Sequence, residues 1–268
     1  MGCGLAGAAT LPVQLLPAQT AGVFCGAARR VSVTFSNSSS HEFESDVTLR
    51  IWQATSATAA EYGGRPWKHL RILPHQVILE ITPVDFPIVR SETKFLIQWL
   101  ANTNQVIGIS EIQVYPTNLL GELKPLLKDG VLGVLDPSHE LTPLLKQNNI
   151  DFVNLEEKSV DDFPGKLAIL GPFRNRAQVP EKLPVRCQKL AAKGVAAVWI
   201  QFPPQKNEKL TPSFYCVPSG TNAFVIVQPG LVASLAEQPE SQANLVQFCR
   251  LALNPEPPAL PIFDPCPL

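Results

Sequence analysis

The sequence predicts a multidomain protein of the β plus α/β class: an antiparallel β-sandwich over residues 22–116, then a mostly parallel, three-layer α/β domain over 117–254. Three observations carry this. Between Val23 and Tyr115 apolar and polar residues alternate with the period of a half-buried strand. Beyond Tyr115-Pro116-Thr117-Asn118 short apolar runs alternate instead with amphipathic stretches of helical spacing. Finally, 268 residues exceed most single domains and fall short of three.

Composition bounds the function. A hydrophobic fraction of 45% with 17% charged residues is that of a globular chain, and a formal net charge of -1 leaves no electrostatic footprint for nucleic acid or an anionic membrane. Twenty-six prolines favour strand ends and turns over long helices. The six cysteines (Cys3, Cys25, Cys187, Cys216, Cys249, Cys266) stand singly, without a C-x-x-C pair or a His at metal-ligand spacing, so no metal site is expected. Cys187 and Cys249 fall in helix-like segments and Cys216 in an apolar run, which reads as small buried hydrophobes rather than disulfides.

Residues 1–21 form an uncharged, leader-like segment, and no Lys or Arg precedes Arg29. Pro12, Gln14, Pro17 and Gln19 interrupt any span of about 20 apolar residues, so no stable membrane span is expected. Cys3 directly follows Met1-Gly2, which is not a lipidation box. The segment reads as a truncated leader, a fragment start or the remnant of a longer protein. Export or attachment to the cell envelope stays open.

Within the sandwich, Val31-Ser32-Val33-Thr34-Phe35 and Val47-Thr48-Leu49-Arg50-Ile51-Trp52 alternate, and Val77-Ile78-Leu79-Glu80-Ile81 follows a Leu73-Pro74 turn. Phe95–Leu100 and Val106–Val114 bracket the turn residues Asn102-Thr103-Asn104 as a hairpin. Trp52 and Trp99, set among polar neighbours inside strands, read as core. Trp67, beside Pro66 in a Gly-rich connection, reads as the exposed one and is the candidate for stacking on a carbohydrate. Gly22-Val23-Phe24-Cys25-Gly26, then Arg30–Asn37, the Leu73-Pro74-His75-Gln76 turn and the final hairpin resemble the immunoglobulin-like modules of bacterial surface and carbohydrate-active proteins. The resemblance implies an immunoglobulin-like β-sandwich. The Cys…Trp…Cys core of antibody domains is absent, so the architecture alone carries over.

The α/β domain opens with Leu119–Leu127 as a short amphipathic helix, N-capped by Thr117 or Asn118 and ending near Asp129-Gly130. Strands are expected at Val131–Leu135, Asp151–Leu155, Lys166–Leu170, Val195–Ile200 and Phe224–Val227, and helices at Leu141–Asn148, Lys182–Lys193 and Gln242–Leu253. That order belongs to the Rossmann-like or flavodoxin-like class, whose ligand crevice lies beyond the strand carboxyl ends. Lys166–Leu170, apolar throughout, is the central strand, and Gly171-Pro172-Phe173-Arg174 stands where a nucleophile elbow would present Ser or Cys. It presents neither.

Within that class the order is similar to the class I glutamine-amidotransferase-like fold, including its non-catalytic versions appended to bacterial glycoside hydrolases. Catalytic members carry Gly-x-Cys-x-Gly after a central strand. Here the equivalent is Gly171-Pro172-Phe173-Arg174-Asn175, lacking both the Cys and the second Gly, and amidotransferase activity does not carry over.

Asp136-Pro137-Ser138-His139-Glu140 collects residue types that hydrolases use, but neighbours in sequence do not face one another as a triad requires. The segment reads as a turn into the next helix with Ser138 as N-cap, and Asp136, Ser138 and His139 remain the weak catalytic candidates. Arg174, Arg176 and Gln201 rim the crevice as candidates for a polar or anionic ligand, together with Gln228-Pro229-Gly230. No Gly-rich phosphate loop follows a strand, and no cofactor is expected. Residues 255–268 read as an extended proline-rich tail.

The reading is a non-catalytic binding or structural accessory module of a bacterial, exported or carbohydrate-related protein, with a protein or carbohydrate partner. The alternative is a hydrolase with a non-standard site in the crevice at the strand carboxyl ends.

Overall fold

The computed structural model describes residues 12–16, 21–55, 57–102, 105–128, 130–203, 213–219 and 221–255. The readings placed on residues 1–11 and 17–20, the Thr103-Asn104 turn, Asp129, Pro204, Cys3, Cys266 and the tail from 256 lie outside them. The chain divides into two compact units, residues 1–117 and 118–268.

In the first unit β1 (Val13–Leu15), β3 (Ala28–Asn37) and β6 (Val77–Asp85) form an antiparallel sheet in the order β1-β3-β6. A second sheet joins β2 (Ala21–Phe24), β8 (Gln105–Tyr115), β7 (Thr93–Ala101), β4 (Phe43–Ala54) and β5 (Ala59–Ile72) in that order. It is antiparallel except where β2 runs parallel to β8. The two sheets enclose one core: Val31, Val33 and Phe35 from the first meet Val47, Leu49, Phe95, Ile97 and Trp99 from the second. The period of two delivers every second side chain to that core. Trp99 is fully buried, its ring centroid 5.7 Å from that of Phe35 and 4.9 Å from that of Trp67. Its indole N–H donates to the Ser110 hydroxyl at 3.0 Å, which removes the cost of burying an unpaired donor. Buried Asn37 ties the end of β3 to the chain after β5. Its amide donates to the carbonyls of His41 (2.8 Å), Ile72 (3.1 Å) and Leu73 (3.2 Å) and accepts from the Ser39 N–H at 3.0 Å.

Strand β5 was not expected, because Gly63, Gly64 and Pro66 read as a connection. It lies at the sheet edge, where a strand tolerates proline and glycine. Its pairing with β4 steps from Val47–Lys68 to Thr48–Pro66, leaving Trp67 as the extra residue of a bulge. A bulge re-aims the side chain it inserts, and Trp67 turns into the core against Trp99 and Phe35.

In the second unit β9 (Leu132–Leu135), β10 (Phe152–Asn154), β11 (Leu167–Leu170), β12 (Ala196–Ile200), β13 (Phe214–Ser219) and β14 (Asn222–Val227) form one sheet ordered β10-β9-β11-β12-β14-β13. All pairs are parallel except the edge strand β13, which returns antiparallel to β14. Helices α1 (Leu123–Leu127), α2 (Thr142–Gln147) and α4 (Pro239–Leu253) pack on one face with Val134, Ile169, Val198 and Val225. Helix α3 (Leu183–Ala192) packs on the other with Leu135, Ala168, Leu170 and Ala197. Strands covered on both faces explain the unbroken apolar runs, and each fully buried Leu, Ile or Val contributes about 1.5–3 kcal/mol.

Two expectations are corrected here. Cys216, expected as a small buried hydrophobe, is exposed on the edge strand β13, which the sequence does not announce because its residues are mostly exposed and it carries Pro218. The first helix splits into a 3-10 turn over Leu119–Glu122 and α1, and Asn118 precedes it without a side-chain cap bond. Among the described residues no helix is long and apolar enough to cross a membrane.

Candidate functional site

The sheet order of the second unit reverses direction at β9 and β11, since β10 lies on one side of β9 and the later strands on the other. A crevice between loops opens at such a point, outside the strand carboxyl ends. The loops that follow β9 and β11 are those holding Asp136–Glu140 and Gly171–Arg174.

Asp136 is 1% exposed, and its carboxylate is committed to the start of α2. Oδ2 accepts from the N–H of Leu141 (2.9 Å), the N–H of Thr142 (2.8 Å) and the Thr142 hydroxyl (2.9 Å), while Oδ1 accepts from the Ser138 hydroxyl (3.1 Å) and the Glu140 N–H (3.2 Å). The first N–H groups of a helix lack partners within it, and a buried carboxylate satisfies them. The helix is therefore held by Asp136, not by Ser138 as the sequence suggested. Ser138 spends its own proton on Asp136. His139 has φ 54°, is exposed, and its ring makes no hydrogen bond among the described residues. His139 makes no bond to the Ser138 hydroxyl, whose acceptor among the described residues is the Asp136 carboxylate already held by the start of α2, so the three candidates come together only as a turn.

After β11, Gly171 adopts φ +104°, and a Cβ there would lie 2.8 Å from the Ile200 carbonyl oxygen. Only glycine fits this close approach. The chain then passes through a cis Gly171-Pro172 bond and buries Phe173 to 2% exposure in the core on the α3 face. An aromatic ring occupies the place of a nucleophile.

Arg174 bridges the two loops. Its Nε donates to Glu140 at 3.1 Å and its terminal nitrogen to the Ser138 carbonyl at 3.2 Å. Glu140 was not among the sequence candidates, since its role needs the loop from the neighbouring strand. Arg176 is exposed at the start of a 3-10 turn capped by Asn175, whose side chain accepts the Ala177 N–H at 3.0 Å. Gln201 continues β12, its N–H bonded to the Val227 carbonyl at 2.9 Å, and is half-buried. Of the sequence candidates, the structure gathers Asp136, Ser138 and Arg174 into one bonded cluster and leaves His139 and Arg176 facing solvent.

Trp67, in the first unit, is no exposed platform. It is half-buried in the aromatic core, with the Lys68 ammonium 5.2 Å from its ring centroid. Trp52 is the tryptophan on an outer face. Val47, Leu49 and Ile51 are buried, so Trp52 shares the opposite side of β4 with Thr48 and Arg50 and stands apart from the core cluster. It is paired with Glu61 on β5 and Leu96 on β7. One row further, Ala54, Lys94 and Gln113 line up across β4, β7 and β8. There they line a cleft of about 390 Å³ with Thr55 and Glu92.

Other titratable groups are explained by their surroundings. On the outer face of β4 and β5, His69 sits between Asp46 (2.9 Å) and Glu44 (3.0 Å), and hydrogen bonds to Asp46 and then Glu44 hold its pKa above the ordinary value. Burial pushes the Cys187 thiol up to about 11 and raises Cys249 further, so neither is poised as a thiolate nucleophile. Among the described residues no group of three or more His, Cys, Asp or Glu is placed to hold a metal ion.

No protein-family model and no curated protein matches the chain. Among solved structures, an alkylpurine DNA glycosylase from Pseudomonas fluorescens bound to DNA is similar at 13% identity and TM-score 0.32, over 40% of this chain and 31% of that one. A Niemann-Pick type C2 protein from the Japanese carpenter ant is similar at 8% identity and TM-score 0.30, over 39% of this chain and 88% of that one. A β-glucosidase from Listeria innocua in complex with glucose is similar at 10% identity and TM-score 0.29, over 38% of this chain and 16% of that one. The chain thus spans 31% of the glycosylase and 16% of the glucosidase. Likenesses at these TM-scores fix neither the family nor the activity.

Proposed function

We propose that the protein is a non-catalytic binding or structural accessory module of a carbohydrate-related, exported or envelope protein. The observation that carries the reading is that the acceptor of the Ser138 hydroxyl, the buried Asp136 carboxylate, is held by the start of α2, with no histidine bonded to Ser138 among the described residues. Phe173, in the place of a nucleophile, and the Arg174–Glu140 ion pair joining the loops support the same conclusion.

The fold assignments belong to this proposal. A sheet ordered β1-β3-β6 opposite one ordered β2-β8-β7-β4-β5, sharing one core, supports an immunoglobulin-like sandwich. The parallel order β10-β9-β11-β12-β14 supports a flavodoxin-like α/β domain, and through it the likeness to degenerate glutamine-amidotransferase-like modules.

The test is turnover by the full chain of p-nitrophenyl acetate, glutamine and p-nitrophenyl glycosides, against His139→Ala and Ser138→Ala. The reading predicts rates equal to buffer for all three proteins. A rate that falls in either variant establishes the hydrolase instead.

A further inference from the structure

Strand β6 inverts the alternation of a half-buried sheet. An antiparallel sheet packed on one face turns apolar side chains inward and polar ones to water. The neighbouring β3 does so, with Val31, Val33 and Phe35 in the core and Ser32, Thr34 and Ser36 on the outer side. On β6 the outer side carries Val77, Leu79 and Ile81, which are 55%, 65% and 55% exposed, while Glu80 and Thr82 lie on the inner side.

The same three residues face an open edge. Strand β6 ends its sheet, with β3 on one side only. The Asn37 N–H donates to the Gln76 carbonyl at 2.9 Å, and Ser36 is paired with Val77 in the next row. Bonded and unbonded pairs alternate along an antiparallel ladder, so Ile78, Glu80 and Thr82 bond to β3, and Val77, Leu79 and Ile81 turn their N–H and C=O groups outward. Pro83 falls in the outward set, where the N–H it lacks is not needed by β3, and Arg65 donates to its carbonyl. At Val77, Leu79 and Ile81 there stands neither charge nor proline, the usual guards of an edge.

A second copy of β6 fits this edge in one register. Two copies related by a two-fold axis pair antiparallel and present the same patch to each other. With the axis at Leu79, that residue faces its own counterpart and Val77 faces Ile81. Every outward N–H and C=O of the three residues then finds a partner, about six hydrogen bonds in all, and the apolar side chains of both copies form one stripe. An axis at Glu80 sets the two carboxylates opposite each other and puts Val77 against Pro83, and an axis at Ile81 puts Leu79 against Pro83. An axis at Ile78 carries Ile81 onto His75, whose φ of 57° takes it off the strand. The two-fold pair also closes, because each copy uses its β6 edge on the other.

We infer that the protein forms a homodimer through β6, joining two three-stranded sheets into one of six strands centred on Leu79. The inference stands apart from the non-catalytic reading and holds whatever the crevice of the second unit does.

Sedimentation of the full chain over a range of concentrations up to about 200 µM tests it. One pair of edge strands makes a small interface, so a dimer with a dissociation constant on the order of 10 µM is expected. Leu79→Lys, at a position exposed in the monomer, sets two ammonium groups together on the axis and should weaken the dimer about tenfold or more. Ile88→Lys, 83% exposed and outside the strand, should leave it unchanged. With the exposed Cys216 replaced by Ser, Leu79→Cys should give a disulfide-linked dimer on mild oxidation, since directly opposed bonded residues lie about 5.5 Å apart at Cα. Val77→Cys should not, because its two copies lie roughly 13 Å apart along the strands. A dimer indifferent to a folded Leu79→Lys, one that Leu79→Cys does not cross-link, or one that Val77→Cys cross-links as well overturns the inference. A chain that stays monomeric at about 200 µM also overturns it, and leaves the edge to a strand of another protein.

Discussion

Thr142 gives both its main-chain N–H, at 2.8 Å, and its hydroxyl, at 2.9 Å, to one oxygen of the buried Asp136 carboxylate. Asp136→Asn keeps the shape but replaces two acceptor oxygens with one and adds donors that have no partners at the helix start. The variant is expected to lose about 2–3 kcal/mol of stability, read as a lower urea midpoint with an unchanged slope. An Asp136 serving chemistry alone would leave the midpoint in place or raise it, because strained catalytic groups are replaced without loss of stability.

Trp67 tests the bulge. With its ring 4.9 Å from that of Trp99, Trp67→Ala opens a hole in the aromatic core and should cost about 3 kcal/mol. An exposed platform would change by no more than about 0.5 kcal/mol. Thermal unfolding of the two proteins decides between these values.

His69 carries a pH dependence. Bonds to Asp46 and Glu44 raise its folded-state pKa, with the Arg71 cation also on that face and paired with Glu42. The folded state then holds the proton to a higher pH than the unfolded chain does. The resulting stabilisation is fully present below about pH 6.5 and is lost as the pH rises through the folded-state value. Proton NMR of the His69 ring should give a midpoint above that of a free histidine, and Asp46→Asn should move it down. His69 is well exposed, so the effect on overall stability is small.

Much of the architecture is legible in the residues, and the exceptions have physical causes. Buried parallel strands such as Leu167–Leu170 announce themselves as unbroken apolar runs, and α3 and α4 by helical spacing. The edge strands β5 and β13 do not, because an edge tolerates Gly63, Gly64, Pro66 and Pro218 and buries too little to enforce a period. Trp67 was misplaced because its orientation depends on a register shift against β4 that no local pattern encodes. Trp52 is a different case. Its polar neighbours suggest the core, but the buried Val47, Leu49 and Ile51 set the inward phase of the strand and assign Trp52 to the outer side. In the crevice, the absence of Ser or Cys after β11 was readable from Gly171-Pro172-Phe173. The capping role of Asp136 was not, since it needs the turn to close back on Thr142, six residues on.

The central claim, that Ser138 has no histidine base and that Phe173 stands in the place of a nucleophile, is tested most directly by treating the native chain with a fluorophosphonate and locating adducts by mass spectrometry. The account predicts that Ser138 is unmodified after an exposure that fully labels a serine hydrolase in the same tube. A stoichiometric adduct on Ser138, lost in His139→Ala, would contradict it and make the protein a hydrolase.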